Sequence, residues 1–518
     1  MNHAPIVPIV LPALAAALML LDRRLGAQRA LAWLSVLMQL GCAAWLVALA
    51  SDGWRGVYLL GNWAAPWGIV LVCDRLSAMM VALVSLLAVI ALAAAHGRWD
   101  GRGEHFHPLL QVQLMGLNGA FLTGDVFNLF VFFEVLLIAS YGLLVHGDGA
   151  ARIAAGLRYV TLNLLGSALF LIGASLLYGV TGTLNMADLS ARMPELAGGD
   201  ATLALIGAWL LLVVFGLKAA ALPLYLWLPG TYSAASPPVA ALFAVMTKVG
   251  VYAVLRTFTL VFGADAGPLA NAVFPWLAAI GAGGYALAML GALAGTDLRR
   301  LAAMMLIGSA GFLLVGVGLA TPGSVAAALF YLPHTTLSAA ALYLVADLVA
   351  RGRGDAADRL RVGPAPLRPA ATGLLFFATA VAIAGLPPFG GFVGKAMLLA
   401  AMLPEGGSMP GGSVAALWTV ILGGSLLAMI ALARAGSVLF WKSAAPPVRG
   451  APAPRALEFV PALVALVAVV AVTVWAAPLQ RYADAAARDL LEPSATVDQV
   501  LRTVPRAGPH QPHPESYR

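Results

Sequence analysis

Apolar runs of about 20 residues, the length needed to cross a bilayer as a helix, recur along this chain. They fall at 5–21, 30–50, 70–95, 108–123, 126–146, 157–179, 203–222, 239–262, 271–293, 301–320, 325–350, 371–400, 414–441 and 457–477. Fourteen such runs leave connectors too short to hold a folded domain, which excludes a membrane-tethered soluble enzyme. With 61% apolar and 10% charged residues, the chain also lacks the polar surface of a soluble globule, which averages about 45–50% and about 25%. A lipid-exposed backbone must satisfy its own hydrogen bonds, so each run is predicted to be helical. The expected fold class is an all-α polytopic membrane protein of about 14 transmembrane helices. The division between the fourth and fifth spans rests on Thr123-Gly124-Asp125 alone.

Basic residues test the count, because cytoplasmic loops collect them. Loops after odd-numbered spans hold seventeen, from Arg23, Arg24 and Arg29 to Lys442, Arg449 and Arg455; loops after even-numbered spans hold three, Arg55, Arg75 and Arg192. A miscounted span would scramble that alternation, so fourteen spans with the N-terminus outside are expected. The charges around the first span follow it, the reverse of a signal peptide. The net charge of +7 comes from arginines scattered through short loops, without a basic stripe or stacking aromatics, so no nucleic-acid partner is expected. Two cysteines, Cys42 and Cys73, supply neither a disulfide framework nor a Cys-rich metal site.

Spans 4–8 and 9–13 read as two copies of a five-helix unit, the fourth member of each being interrupted by proline and carrying a lysine. These are Lys218 before Leu222-Pro223, and Leu386-Pro387-Pro388 before Lys395. An odd helix number inverts the second copy, and paired broken helices in inverted repeats characterise secondary transporters. The chain divides accordingly into an N-terminal three-helix region (1–104), a first repeat (105–265), an inverted second repeat (266–442), and the last span with a polar tail (443–518). The tail from 478 is expected to be solvated.

Four lysines stand against twenty-six arginines, and three of the four, Lys218, Lys248 and Lys395, fall inside apolar spans. Arginine stays charged when buried, whereas desolvated lysine can release its proton, and intramembrane ionisable groups usually have a function. The three are therefore candidate proton carriers; the alternative is a structural ion pair or a side chain that snorkels to the interface. Glu134, central in span 5, has Lys218 or Lys248 as its expected partner and would tune that lysine's charge, unless the pair is only a packing element. His334, near the start of span 11, suits a relay between lysine sites; a buried, hydrogen-bonded histidine is the competing reading. Asp125, Asp347, Arg256 and Arg434 lie nearer span ends and are expected to anchor at the interface.

Two motifs fail on inspection. Gly390-Gly391-Phe-Val-Gly394-Lys395 imitates a phosphate loop but is followed by Ala396 and lies within the membrane. Glu104-His105-Phe106-His107 has no further metal ligand in view and is expected to be a solvated loop. No cofactor and no metal are expected.

Taken together, Leu122-Thr-Gly-Asp125-Val-Phe-Asn128-Leu-Phe-Val-Phe-Phe-Glu134, Lys218-Ala-Ala-Ala-Leu-Pro223-Leu-Tyr-Leu-Trp-Leu-Pro229-Gly, Thr247-Lys248-Val-Gly-Val-Tyr and Gly385-Leu-Pro-Pro-Phe-Gly-Gly-Phe-Val-Gly-Lys395 form a specific combination. It resembles the D subunit of Mrp-type, also called Pha-type, multisubunit monovalent cation/proton antiporters, relatives of the antiporter-like subunits of respiratory complex I. The resemblance implies a secondary transporter subunit rather than an enzyme, in the inner (cell) membrane, that moves protons along Glu134, Lys218, Lys248 and Lys395, and His334 is expected to serve alone as the central relay. It implies as partners the other subunits of a hetero-oligomeric complex, membrane lipid, protons and a monovalent cation, Na+ or K+. Many relatives carry a lysine one turn after the span 11 histidine, where this chain has Ser338, and complex I subunits usually read Leu-Pro-Asp where it has Leu228-Pro229-Gly230. The alternative function is the proton-pumping membrane subunit of an NADH:quinone oxidoreductase-like complex.

Overall fold

The computed structural model describes residues 3–403, 411–443, 445–448 and 454–505; Arg449 and the end of the tail, 506–518, lie outside them. In chain order the helices are α1 Val7–Leu21, α2 Leu25–Ser51, α3 Arg75–Ala95, α4 Phe106–Leu122, α5 Val126–Val145, α6 Ala150–Thr181, α7 Met186–Arg192, α8 Gly198–Ala219, α9 Trp227–Ala234, α10 Pro237–Phe243 and α11 Met246–Leu260. There follow α12 Phe274–Leu293, α13 Leu298–Gly318, α14 Pro322–Ala350, α15 Pro369–Ala384, α16 Gly390–Ala401, α17 Gly411–Gly436, α18 Val460–Val474, α19 Ala476–Leu491 and α20 Ser494–Arg502. Among the described residues ten spans are long and apolar enough to cross a membrane, and an eleventh counts if α18 and α19, bent by 77° at Trp475, are taken as one. This is a multi-pass membrane fold built almost entirely of helices.

Local chemistry explains the boundaries. Thr123-Gly124-Asp125 does separate two helices, because the Asp125 carboxylate accepts the Asn128 backbone N–H at 2.7 Å and caps α5. The proline breaks are real as well. The first falls between α8 and α9 and the second between α15 and α16, where proline can neither donate a backbone bond nor clear the preceding turn. Residues 239–262 are also divided, into α10 and α11.

Small residues set the depth of packing, as expected where lipid competes equally for larger apolar side chains. Gly250 of α11 is the clearest case: a Cβ there would lie 2.2 Å from the Ala219 nitrogen and 2.7 Å from the Lys218 carbonyl carbon. Its absence lets α11 press against the end of α8. The α14 helix is buried along nearly its whole length and packs against α10, α13, α15, α16, α18 and α19.

Several expectations are corrected. The tail is not simply solvated: α19 and α20 extend to Arg502. In α19, Ala483, Ala486, Ala487 and Leu490 form a buried stripe at helical spacing against α14. Asp489 bridges Arg55, at 2.8 Å, and Arg75, and the Tyr482 hydroxyl donates to the Arg75 carbonyl at 2.7 Å. The N-terminal region also contains an antiparallel hairpin, β1 Gly56–Leu59 with β2 Val70–Cys73. Its Val70 and Val72 share a small core with Ala187 of α7 and Val500 of α20.

The Glu104–His107 segment is not wholly solvated either. His107, in the first turn of α4, is buried with Nε2 3.4 Å from Asp100 Oδ2, and Arg29 binds the same carboxylate through Nε at 2.7 Å and Nη2 at 3.0 Å. Burial would raise the Asp100 carboxyl, but the adjacent His107 ring and Arg29 guanidinium hold it well below the usual carboxylate range.

Arg256 is likewise no interfacial anchor. Its guanidinium is buried and grips both Asp74 oxygens, at 2.6 and 2.7 Å, joining α11 to the start of α3. Asp347 pairs with Arg98 at 2.9 Å and Arg351 at 2.8 Å. Arg434 is exposed and donates to the Gly295 carbonyl at 2.9 Å.

Candidate functional site

Lys218 sits in the last turn of α8, where the chain turns left-handed at Ala220 (φ 53°) before the break. It is 8% exposed, and its Nζ donates to Asn163 Oδ1 of α6 at 2.8 Å. The Asn163 amide nitrogen donates to the Tyr159 carbonyl at 2.7 Å, so the side-chain oxygen is held towards the lysine. The Phe133 ring lies 5.8 Å away on its other side.

Lys248, in the first turn of α11, is fully buried. Its Nζ bonds Ser309 Oγ of α13 at 2.6 Å and Thr247 Oγ1 at 3.3 Å. Lys395 lies in the middle of α16 and reaches back across the break to the Ala384 carbonyl, the last of α15, at 2.7 Å, and to Ser425 Oγ of α17 at 2.9 Å. A helix C-terminus is the negative end of the backbone dipole and favours a cation there.

All three ammonium groups therefore meet neutral oxygen acceptors. Ser309 spends its own proton on the Leu306 carbonyl at 2.7 Å, and Ser425 on that of Ile421 at 2.8 Å. Among the described residues no carboxylate lies within 4.0 Å of Lys218, Lys248 or Lys395.

Glu134 thus differs from expectation. It is half-buried rather than deep, and its partner is the Ser167 hydroxyl of α6 instead of a lysine. Ser167 also donates to the Asn163 carbonyl at 3.0 Å. The carboxylate and Lys218 are therefore linked through two residues one turn apart on α6. Sequence reasoning misses that connection, for which Asn163 and Ser167, polar at i and i+4 within an apolar span, are the available signal.

His334 also departs from its expected place. Because α14 begins at Pro322 and continues through Pro333, the ring stands well inside the helix, 1% exposed. Its Nε2 lies 3.0 Å from the Ala382 carbonyl of α15. Its Nδ1, and Ser338 Oγ one turn on, have no protein hydrogen-bond partner among the described residues. Gly391 of α16 faces the same ring so closely that a Cβ there would stand 2.4 Å from Nε2. The five sequence-derived residues thus fall on α5, α8, α11, α14 and α16, with α11 packed against both α8 and α13, and α14 against both α13 and α16.

Known proteins are similar to this chain over most of its length. Residues 123–421 match the family described as NADH:quinone oxidoreductase/Mrp antiporter, TM. The D subunit of a probable K(+)/H(+) antiporter of Rhizobium meliloti is 44% identical over 98% of this chain and 99% of its own length. The D subunit of the Na(+)/H(+) antiporter of Alkalihalophilus pseudofirmus is 35% identical over 97% of this chain and all of its own. A chain of the Mrp complex from Dietzia sp. DQ12-45-1b superposes with a TM-score of 0.86 at 28% identity, covering 97% of this chain and 100% of that one. The match extends well beyond the central helices to both ends of the relatives, and on that footing the chain belongs to the NADH:quinone oxidoreductase/Mrp antiporter transmembrane family.

Proposed function

We propose that this chain is the proton-translocating subunit of a multisubunit monovalent cation/proton antiporter. It works with the other subunits of a hetero-oligomeric Mrp-type complex in the inner (cell) membrane, with its N-terminus outside. In this reading fourteen spans cross the bilayer. Ten are the long apolar helices; α1, α4, the broken pair α15 and α16, and α18 supply the rest. Residues 1–104 form a three-helix support, 105–265 and 266–442 two inverted repeats, and 443–518 the last span and tail. The broken helices α8/α9 and α15/α16 occupy matching positions in the repeats.

One observation carries the reading. Three lysines are buried in membrane helices, and their ammonium groups are held by neutral oxygens rather than locked against carboxylates. An ion pair built for stability would place a carboxylate beside the cation. A carrier needs a site where its cation is tolerated and its proton can still leave. Lys218 and Lys248 serve the first half in this scheme, Lys395 the second, and His334 relays between them, with Glu134 biasing Lys218 through Ser167 and Asn163. The K(+)/H(+) and Na(+)/H(+) relatives support a monovalent cation as the exchanged ion. The family's description also covers quinone oxidoreductases, so a redox-driven complex is the second reading; the full-length antiporter relatives favour the first.

Proton uptake by vesicles carrying the whole complex tests this. Glu134→Ala should cut antiport severely at matched expression, and normal exchange in that variant would remove the residue from the path. His334→Ala should slow transfer and His334→Lys should partly restore it, whereas a silent His334→Gln across pH 6–9 would exclude the relay.

A further inference from the structure

A cavity of about 540 Å³ opens on the face that carries most of the arginines, between the start of α6, α9, the α12–α13 loop and residues 357–359. Its rim is charged: Arg158, Arg299, Arg300 and Arg359 with Asp297 and Asp358. A second, separate void of about 10 Å³, close to the least that holds one water, lies against Lys218 and Asn163. One residue lines both, the indole of Trp227.

Trp227 is held in that position by specific contacts, on an element next to a helix break. Its ring stacks on Tyr159 at 5.1 Å between centroids and 25° between planes, and its Nε1–H donates to the Leu217 carbonyl at 3.2 Å. Tyr159 in turn lies 3.2 Å, hydroxyl to hydroxyl, from Ser140. Yet Trp227 begins α9, a helix of eight residues whose only covalent tie to α8 is the non-helical stretch 220–226. Short elements beside a break are those that shift most readily.

We infer that Trp227 is the gate between a water-accessible vestibule on the arginine-rich face and the Lys218 chamber, so that displacement of one indole connects Lys218 to that side. This rests on the reading of Lys218 as a proton carrier. Closed, the ring keeps Lys218 dry and stops protons running down their gradient without exchange. Displaced, it admits the water through which Lys218 gains or loses a proton.

The test is thiol labelling of the assembled complex, in vesicles with the arginine-rich face outward. Met246→Cys reports from inside the chamber and Ser233→Cys from the vestibule, both in a background without Cys42 and Cys73, with a small, charged, membrane-impermeant methanethiosulfonate as probe. Ser233→Cys should label in every variant. Met246→Cys should be protected while Trp227 is present and label at least about tenfold faster with Trp227→Ala, while Trp227→Phe stays protected. Tyr159→Ala, which removes the stacking partner but keeps the indole, should also accelerate labelling and serves if Trp227→Ala does not assemble. The inference is overturned if labelling at 246 is already fast with Trp227 in place, if neither substitution changes it, or if the acceleration occurs only from the opposite face. Labelling needs no transport, so a fully active Lys218→Ala would refute the carrier reading while leaving the gate's labelling pattern to be judged separately.

Discussion

The two broken helices hold their lysines in different ways. At the first break Lys218 precedes the interruption and is bound by a side chain, Asn163, from a neighbouring helix. At the second Lys395 follows the interruption and is bound by the backbone itself, the carbonyl that ends α15, with Ser425 assisting. The turn differs too: Ala220 takes the left-handed conformation at the first break (φ 53°) and Gly385 at the second (φ 72°). Similar architecture thus gives one lysine whose anchor can be removed by mutation and one whose anchor cannot. Among the described residues, only the first has a carboxylate connected to its anchor.

Replacing the lysines themselves should have the largest effect and should erase the difference. Lys218→Arg and Lys395→Arg keep the charge but not the ability to release it, and both should lower exchange by about 10²-fold or more in vesicle dye-quench assays. Wild-type rates in both would reduce the two sites to structural cations. Next, Asn163→Leu should slow exchange by about tenfold or more, as expected for losing a hydrogen bond to a charged group worth about 1.5–3 kcal/mol. Ser425→Ala should slow it less, because the Ala384 carbonyl remains. Equal losses would mean that the backbone anchor contributes nothing.

The turns should separate the sites in the opposite sense. A Cβ at Gly385 would stand 2.8 Å from Lys395 Nζ in a left-handed conformation, so Gly385→Ala should destabilise the complex by about 1 kcal/mol or more. Ala220→Gly should be neutral or stabilising by up to about 1 kcal/mol. Thermal melts of the purified complex read both. The smallest effect is a control outside both regions. A carboxyl held below its ordinary value contributes stability above the unfolded pKa, about 3.9 for aspartate, and loses it as pH falls through the lower folded value. The Arg29–Asp100 ion pair should therefore be constant from pH 6 to 9, and Arg29→Ala should leave the shape of the pH–exchange profile in that range unchanged.

Much of this is legible in the sequence, for identifiable reasons. Length and apolarity dictate the spans; Asp125 after Thr123-Gly124 marks a cap; Pro223, Pro387 and Pro388 mark the breaks; and lysines in apolar runs stand out because burial costs them so much. What escapes depends on shorter or tertiary signals. Four-residue strands carry almost no periodicity, and an amphipathic stripe made largely of alanines, as in α19, looks like polar tail until its 3.6-residue spacing is counted. The link from Glu134 to Lys218 runs through α6, and pairing charge with charge along the sequence passes over the neutral Ser167 and Asn163 that make it.

The clasp at Asp489 has a consequence for biogenesis. It joins positions 434 and 414 residues apart, Arg55 and Arg75, so both arginines leave the ribosome long before their counter-charge exists. The N-terminal helices and hairpin therefore lack this tie until α19 has been synthesised and packed along α14. A chain truncated after Val474 would retain every lysine discussed here yet lack the carboxylate that holds Arg55 and Arg75 together.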